Sequence, residues 1–189
     1  YRVADEYQPD CIVCAFDVKQ PTFRHKRYAE YKAGRKKMPE ELVPQLPLLK
    51  EILTDLGVRC VEAPGFEADD IIGTYSRLSD EAGGRCVILT GDRDSLQLIS
   101  ESTTVWLTKK GITEVEKLTP EGLKDAYGLT PAQICDLKGL MGDSSDNIPG
   151  IAGVGEKTAL SLLEKYRSVE GVLENAAEIT GKLGEKIRA

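Results

Sequence analysis

Eight carboxylates stand in four groupings where a strand should end or a helix begin. They are Asp17 after the apolar run CIVCAF, Glu67, Asp69 and Asp70 in EADD, Asp92 and Asp94 after CVILTG, and Asp143 with Asp146 just before a glycine-rich loop. Carboxylates gathered this densely repel one another unless cations bind among them. Oxygen-only donors without His or Cys favour hard ions, Mg2+ or Mn2+. Two such ions can clamp the attacking and leaving oxygens of a phosphodiester and generate hydroxide at neutral pH. Each grouping also has a plain structural reading. Acids in a first helical turn are favoured by the helix dipole, Asp92 can cap the helix that follows it, and Asp143 and Asp146 can form turns. Four such coincidences at once are the less economical account.

The net charge of −6 speaks at first against a nucleic-acid partner, but the distribution reverses that. The eight carboxylates carry a formal −8, so the remainder of the chain is slightly basic at +2. From Lys19 to Lys37 there are eight Lys/Arg and one acid, Glu30. Within PTFRHKRYAEYKAGRKK, the cations Arg24, Lys26, Arg27, Lys32 and Arg35 are interleaved with Tyr28 and Tyr31. Cations hold phosphates, and tyrosine rings stack on unpaired bases. A basic run can equally be a solvated loop. Leading directly out of Asp17, this one reads better as a lid over the carboxylates.

The loop GIAGVG, residues 150–155, is followed by Glu156-Lys157-Thr158. It resembles the hairpin of helix-hairpin-helix modules, where backbone N–H groups and a helix N-terminus meet duplex phosphates. Gly150, Gly153, Gly155, Lys157 and Thr158 are its candidate DNA contacts. A Walker loop needs Gly-Lys-Ser/Thr, and Glu156 intervenes. A Rossmann loop needs a strand before it, and a helix is expected there.

Other chemistries find little support. The five cysteines are scattered; Cys11 and Cys14 make a C-x-x-C inside an apolar run, which points to opposite faces of a strand and reads as small buried residues in a reducing cytosol. The single histidine, His25, lies in the basic run and makes a poor triad base. No apolar run approaches the roughly 20 residues that span a bilayer, and no signal peptide is visible. The first residue is Tyr1, and the opening reads like the middle of an element of a longer chain.

The elements that must position these groups follow from periodicity. CIVCAF, Val58–Val61, CVILTGD and TTVWLT read as strands, with Lys109-Lys110-Gly111 a hairpin turn before a further strand over Ile112–Val115. Helical stripes run over Leu46–Leu56, stopped by Gly57, and over Glu67–Ala82, with Ile71, Ile72, Tyr75 and Leu78 facing inward; a short helix passes Leu96 and Ile99. From Thr119 on, strands stop. Thr119-Pro120 and Thr130-Pro131 each pair a cap with proline at the first helical position, and a helix over Gly155–Tyr166 and shorter helices complete the chain. The fold class is α/β, a mainly parallel sheet flanked by helices over 1–117, with a basic arch at 18–47, and a C-terminal helical module over 118–189. In such sheets the carboxyl ends of strands form the ligand crevice, which would gather the first three carboxylate groupings on one edge.

With AFDVKQPTFRHKRYAEYKAGR, PGFEADDIIG, ILTGDRDSLQL and LMGDSSDNIPGIAGVGEKTA in view, the chain resembles the 5′-nuclease domain of bacterial DNA polymerase I, in the flap-endonuclease superfamily. The resemblance implies a PIN-like core with a helix-hairpin-helix module and two-metal, Mg2+-dependent hydrolysis of DNA at 5′ ends and flap junctions. Mn2+ would substitute, and K+ would sit at the hairpin through backbone oxygens. It places all eight carboxylates on metal positions and Arg24, Lys32 and Arg35 on the arch cations of the scissile phosphate. It also implies a cytoplasmic, nucleoid-associated bacterial protein with a polymerase domain in the full-length chain. The family opens with a strand carrying a further aspartate, expected before Tyr1, and its last helices are expected to be cut short here. The rival readings are a DNA-junction binding module, inactive without that aspartate, and a related single-strand ribonuclease, which would lack the helical module after Thr130.

Overall fold

The computed structural model describes residues 2–109 and 114–188. Tertiary contacts divide it into two units, Tyr1–Ala29 with Arg35–Ile72, and Glu30–Gly34 with Gly73–Ala189.

In the first unit α1 (Arg2–Tyr7) precedes β1 (Val13–Ala15), α2 (Phe23–Arg27), α3 (Gln45–Asp55) and β2 (Arg59–Val61). β1 and β2 are parallel, with Val13, Cys14 and Ala15 opposite Arg59, Cys60 and Val61. Thr22 caps α2 through His25: its hydroxyl lies 2.9 Å from Nδ1, and its N–H donates to the same nitrogen at 3.2 Å. His25 is therefore a structural acceptor. Gly57, at φ 79°, ends α3 in the left-handed region that side chains resist. α3 keeps its helical apolar spacing, yet none of its residues is buried. α4 (Ala68–Glu81) opens in this unit and continues in the second.

The second unit holds β3 (Cys86–Thr90), a 3₁₀ helix (Arg93–Leu98), β4 (Thr103–Thr108) and β5 (Val115–Leu118). It continues with α5 (Pro120–Tyr127), α6 (Pro131–Met141), β6 (Gly142–Asp143), β7 (Ile148–Pro149), α7 (Glu156–Tyr166), α8 (Val169–Glu174) and α9 (Gly181–Arg188). β4 is the middle strand, parallel to β3 and antiparallel to β5. Its Val105, Trp106 and Leu107 are all buried, as a middle strand requires. Leu96, Leu123, Leu140, Leu163 and Val172 are fully buried around it and between the helices, each worth about 2 kcal/mol in apolar area removed from water. Thr119 caps α5 by accepting from Gly122 N at 3.2 Å. Thr130 caps α6 in a reciprocal box with Gln133, whose Oε1 accepts from Thr130 N at 3.0 Å.

Several expectations are corrected. Leu78 is 46% exposed, and Ser76 takes the inward place on α4, its hydroxyl 2.9 Å from that of Thr103. Leu89 is likewise exposed, so β3 buries Ile88 but not its whole run. Cys11 and Cys135 are exposed rather than buried. Strands do not stop at Thr119: β6 and β7 form a short antiparallel ladder around the Asp143–Asp146 turn. The expected turn at 109–111 falls partly on 110–113, outside the described residues, and the described strand after it runs over Val115–Leu118. Among the described residues no helix is long and apolar enough to cross a membrane.

Candidate active site

In the first unit, β1 delivers Asp17 to the start of α4, where its Oδ1 accepts from Ala68 N at 2.8 Å. Asp70 reaches back to the same helix start and accepts from Glu67 N through Oδ2 at 2.9 Å. Arg24, on α2, then binds Asp70 with two parallel hydrogen bonds, Nη1 to Oδ2 at 2.8 Å and Nη2 to Oδ1 at 2.9 Å. Its Nη1 also lies 3.6 Å from Glu67 Oε2, and its guanidinium stacks 4.6 Å from the Phe23 ring centroid. Glu67 is buried while Asp17 and Asp69 are exposed. Asp17, Glu67 and Asp70 are thus brought to one helix N-terminus, where backbone N–H groups favour negative charge.

In the second unit, β3 ends in a turn that Asp92 caps, Oδ1 accepting from Asp94 N at 2.9 Å. Lys138, in the last turn of α6, places Nζ 2.8 Å from Asp94 Oδ1 and 2.6 Å from Asp143 Oδ2. Asp143 Oδ1 accepts from Ser145 N at 2.8 Å and Ser145 Oγ at 2.6 Å, which closes the turn between β6 and β7. Burial alone would raise the Asp143 carboxyl; the bonds from Lys138 and Ser145 overcome it and hold the pKa at about 2. Burial works to lower the Lys138 pKa, but its two carboxylate partners outweigh that and raise it. The ion pair is thus charged on both sides at neutral pH. Asp94 Oδ1 is buried and accepts no well-directed hydrogen bond, so the nearby ammonium is its compensation. Lys138 is not among the residues expected from sequence. A cation in the last turn of a helix, five residues before Asp143, is the available signal.

The segment Glu30–Gly34 of the basic stretch belongs to this second unit. Tyr31 is 5% exposed and donates its hydroxyl to Asp146 Oδ2 at 3.0 Å, which corrects the expectation of a ring open to bases. Lys32 Nζ stands 4.0 Å from the same oxygen, and its backbone N–H donates to Asp146 O at 2.9 Å. Asn147 Nδ2 donates to Glu30 O at 2.8 Å. Three consecutive residues of the basic stretch therefore clasp the loop that carries Asp146. Arg35 is exposed in the first unit.

The loop glycines divide into two kinds. A Cβ on Gly142 would stand 2.4 Å from Gly150 N, and one on Gly150 would stand 2.2 Å from Gly142 N, so this pair permits two backbones to touch. Gly153 has φ 85°, and a Cβ there would meet Lys186 Nζ at 2.9 Å; that ammonium donates to Ala152 O at 2.6 Å. Gly155, the cap of α7, has extended φ and open space where its Cβ would be. Lys157 is exposed and Thr158 half-buried in the first turn of α7.

All eight groups are oxygen donors, the chemistry a hard divalent ion takes, and Asp143 and the Asp94 oxygen beside Lys138 are suited to it. Among the described residues no three of them stand close enough to hold one ion. Four of the carboxylates are drawn pairwise onto cations instead, Glu67 and Asp70 onto Arg24 and Asp94 and Asp143 onto Lys138.

A family model for the N-terminal resolvase-like domain of 5′-3′ exonuclease matches residues 1–128, and one for the C-terminal SAM fold of 5′-3′ exonuclease matches 129–189. DNA polymerase I of Geobacillus stearothermophilus is 50% identical over 188 residues, 99% of this chain and 22% of the relative. DNA polymerase I of Mycobacterium tuberculosis is 46% identical over 181 residues, 96% of this chain and 20% of the relative. The chain therefore spans about a fifth of the length of these curated relatives. Among solved structures, a bacteriophage T5 flap endonuclease variant, in a pseudo-enzyme–product complex with DNA and metal ions, superposes with TM-score 0.80. That match has 18% identity and covers 98% of this chain and 71% of the phage chain, so it shows the fold.

Proposed function

From its membership of the 5′-3′ exonuclease family, to which the chain belongs by both family models, we propose that it is a metal-dependent, structure-selective nuclease that hydrolyses DNA from 5′ ends and at flap junctions. The observation that carries this reading is the pair of cation-bridged carboxylate sets, Glu67–Asp70 about Arg24, with Asp17 at the same helix start, and Asp94–Asp143 about Lys138. Carboxylate oxygens gathered about a cation are chemically prepared to exchange that cation for a divalent one. Asp17, Glu67, Asp69, Asp70, Asp92, Asp94, Asp143 and Asp146 would hold Mg2+, with Mn2+ a substitute. Ions bound there would supply a hydroxide at neutral pH and neutralise charge on the leaving oxygen.

The chain's own residues do the rest. Lys32, held by its backbone and by Tyr31 beside Asp146, presents an ammonium to the scissile phosphate as charge grows on it. Arg24 and Arg35 are further phosphate cations of the arch, and Arg24 must first leave Asp70. Gly155 leaves the α7 N-terminus open to a duplex phosphate, with Lys157 and Thr158 in the turn behind it. Gly153 and its neighbour Lys186 lie at the same loop. A K+ ion on the hairpin carbonyls would compete with Lys186 for Ala152 O. The relatives' name and length support a polymerase domain in the same full-length protein, acting on bacterial chromosomal DNA.

The family match favours turnover over a purely binding module. Cleavage of a labelled 5′-flap substrate tests this: cutting in Mg2+ that stops in EDTA is expected. Flap binding with no cutting by the longer natural protein in Mg2+ or Mn2+ would overturn it.

A further inference from the structure

The sequence draws the eye to Cys11 and Cys14, but the structure pairs Cys14 with a different residue. β1 and β2 are parallel and Cys14 is directly opposite Cys60. Paired residues on neighbouring strands stand about 4.8 Å apart, inside the 4.4–6.8 Å Cα range of disulfides. Partners in a parallel ladder also project from the same face. Two contacts show which face that is. Cys60 Sγ lies 3.8 Å from Lys50 O on α3, and Lys50 Nζ lies 4.8 Å from the ring of Phe16, which shares a face with Cys14. Both thiols therefore lie under α3, half-buried, whereas Cys11 is exposed and outside β1.

We infer that Cys14 and Cys60 form a cross-strand dithiol that oxidises to a disulfide by exchange with a low-molecular-weight disulfide. One thiolate attacks a sulfur of the small disulfide, forming a mixed disulfide and releasing one small thiol. The second thiolate then attacks the protein sulfur of that bond and releases the other small thiol. Two S–H bonds and two protons are lost from the protein, one S–S bond is gained, and the small disulfide is reduced to two thiols. Disulfides bring Cβ atoms to about 3.8 Å, closer than strand spacing, so the bond draws β1 onto β2 and is readily reduced again. Burial, with Cys60 as a second influence, raises the Cys14 thiol and so lowers its thiolate fraction, which slows the exchange. Asp17 follows Cys14 by three residues and binds the start of α4, so on the nuclease reading the bond also limits how far this carboxylate moves.

The test is thiol counting and peptide mapping on the folded, reduced protein titrated with oxidised glutathione, which leaves the nuclease reading untouched. Beyond glutathione adducts at the exposed Cys11 and Cys135, loss of the Cys14 and Cys60 thiols together is expected, with a Cys14–Cys60 linked peptide that carries no glutathione and that dithiothreitol removes. Cys11→Ser should form the same link, which keeps the test valid if a core variant fails to fold. Cys14→Ala should leave Cys60 as a glutathione mixed disulfide. A dominant Cys11–Cys14 or Cys11–Cys60 link, or separate mixed disulfides at Cys14 and Cys60 without a link, would overturn the proposal.

Discussion

Arg24 grips Asp70 in a unit where α3 has no buried residue and Phe66, beside Glu67, is 51% exposed. Lys138 grips Asp143 in a unit where the neighbouring Leu140 is 1% exposed and Leu163 wholly buried. Each cation is about equally exposed, at 35% and 34% of its side chain. The carboxylates differ in what stands behind them: Asp70 also accepts from Glu67 N at a helix start, whereas Asp143 is held by Ser145 in its own turn, and that turn is fixed by a Gly142–Gly150 backbone contact. The same charge arrangement thus stands on a packed foundation in one unit and on a surface one in the other. A group on a packed foundation should serve stability and chemistry together; one at the surface should serve chemistry nearly alone.

The largest expected effect tests the chemistry of both. Asp143→Ala and Asp146→Ala should each reduce flap cutting in Mg2+ on the order of 10³ or more, by analogy with losing a preorganised electrostatic group, while duplex affinity in Ca2+ or EDTA is retained. Asp70→Ala should cut as poorly but melt close to the parent. Single-turnover cleavage and a thermal melt on each variant check this. Parent-level cutting by an Asp143→Ala, Asp146→Ala double variant would remove the metal reading of the second unit.

Next comes Lys32. Its alanine variant should lose about 2–4 kcal/mol of transition-state stabilisation with little change in DNA affinity. Tyr31→Phe, which removes only the hydroxyl bond to Asp146, should cost about 1 kcal/mol. An affinity loss with an unchanged single-turnover rate would make Lys32 a solvated arch charge.

Lys138→Met strands two carboxylates and should destabilise the fold by about 2 kcal/mol, less than a fully buried pair because the lysine is a third exposed. The pH profile adds a sign. Asp143 is depressed from 3.8 to about 2, so its stabilisation is complete above pH 3.8 and lost as pH falls through 2. Integrated, it is worth about 2 kcal/mol. Lys138 is raised, so its share is complete below its unfolded value of 10.5 and lost as pH rises through the higher folded one. The difference in denaturation free energy between the parent and Asp143→Asn should shrink between pH 4 and 2. A constant difference would refute the pairing.

Much of the fold is legible in local sequence chemistry. The buried β4, the Thr-Pro caps of α5 and α6, and the glycine after α3 each follow from short-range preferences that tertiary contacts do not override. Which apolar residues find a partner is not legible in the same way. Leu78 and the α3 stripe have the right helical spacing, yet burial depends on what packs against them. The carboxylates stand out by their places at strand and helix ends, but their cations do not. Lys138 reaches Asp94 across 44 positions of sequence, a pairing set by the packing of α6 against the 3₁₀ helix. Tyr31 escapes a reading from sequence because an aromatic among cations looks the same there whether it faces solvent or caps a carboxylate.

The smallest expected effect divides the glycines within the packed unit. Gly142→Ala puts a methyl against backbone at a positive φ and should destabilise the turn that holds Asp143. Gly155→Ala meets open space at an ordinary φ, so its melt should match the parent. A glycine that the fold does not need is informative: the open space over Gly155 is where a phosphate would approach the α7 N-terminus. Gly155→Asp should then weaken duplex binding about tenfold, roughly 1.4 kcal/mol, through charge and bulk together. Gly155→Ala should weaken it less. Both losses should be independent of DNA sequence, as contacts to the phosphate backbone require. Filter binding on two unrelated duplexes at matched salt, beside the melts, reads this directly. Equal binding by parent and Gly155→Asp, with the fold intact, would move the duplex contact away from α7 and leave the second unit with its carboxylates alone.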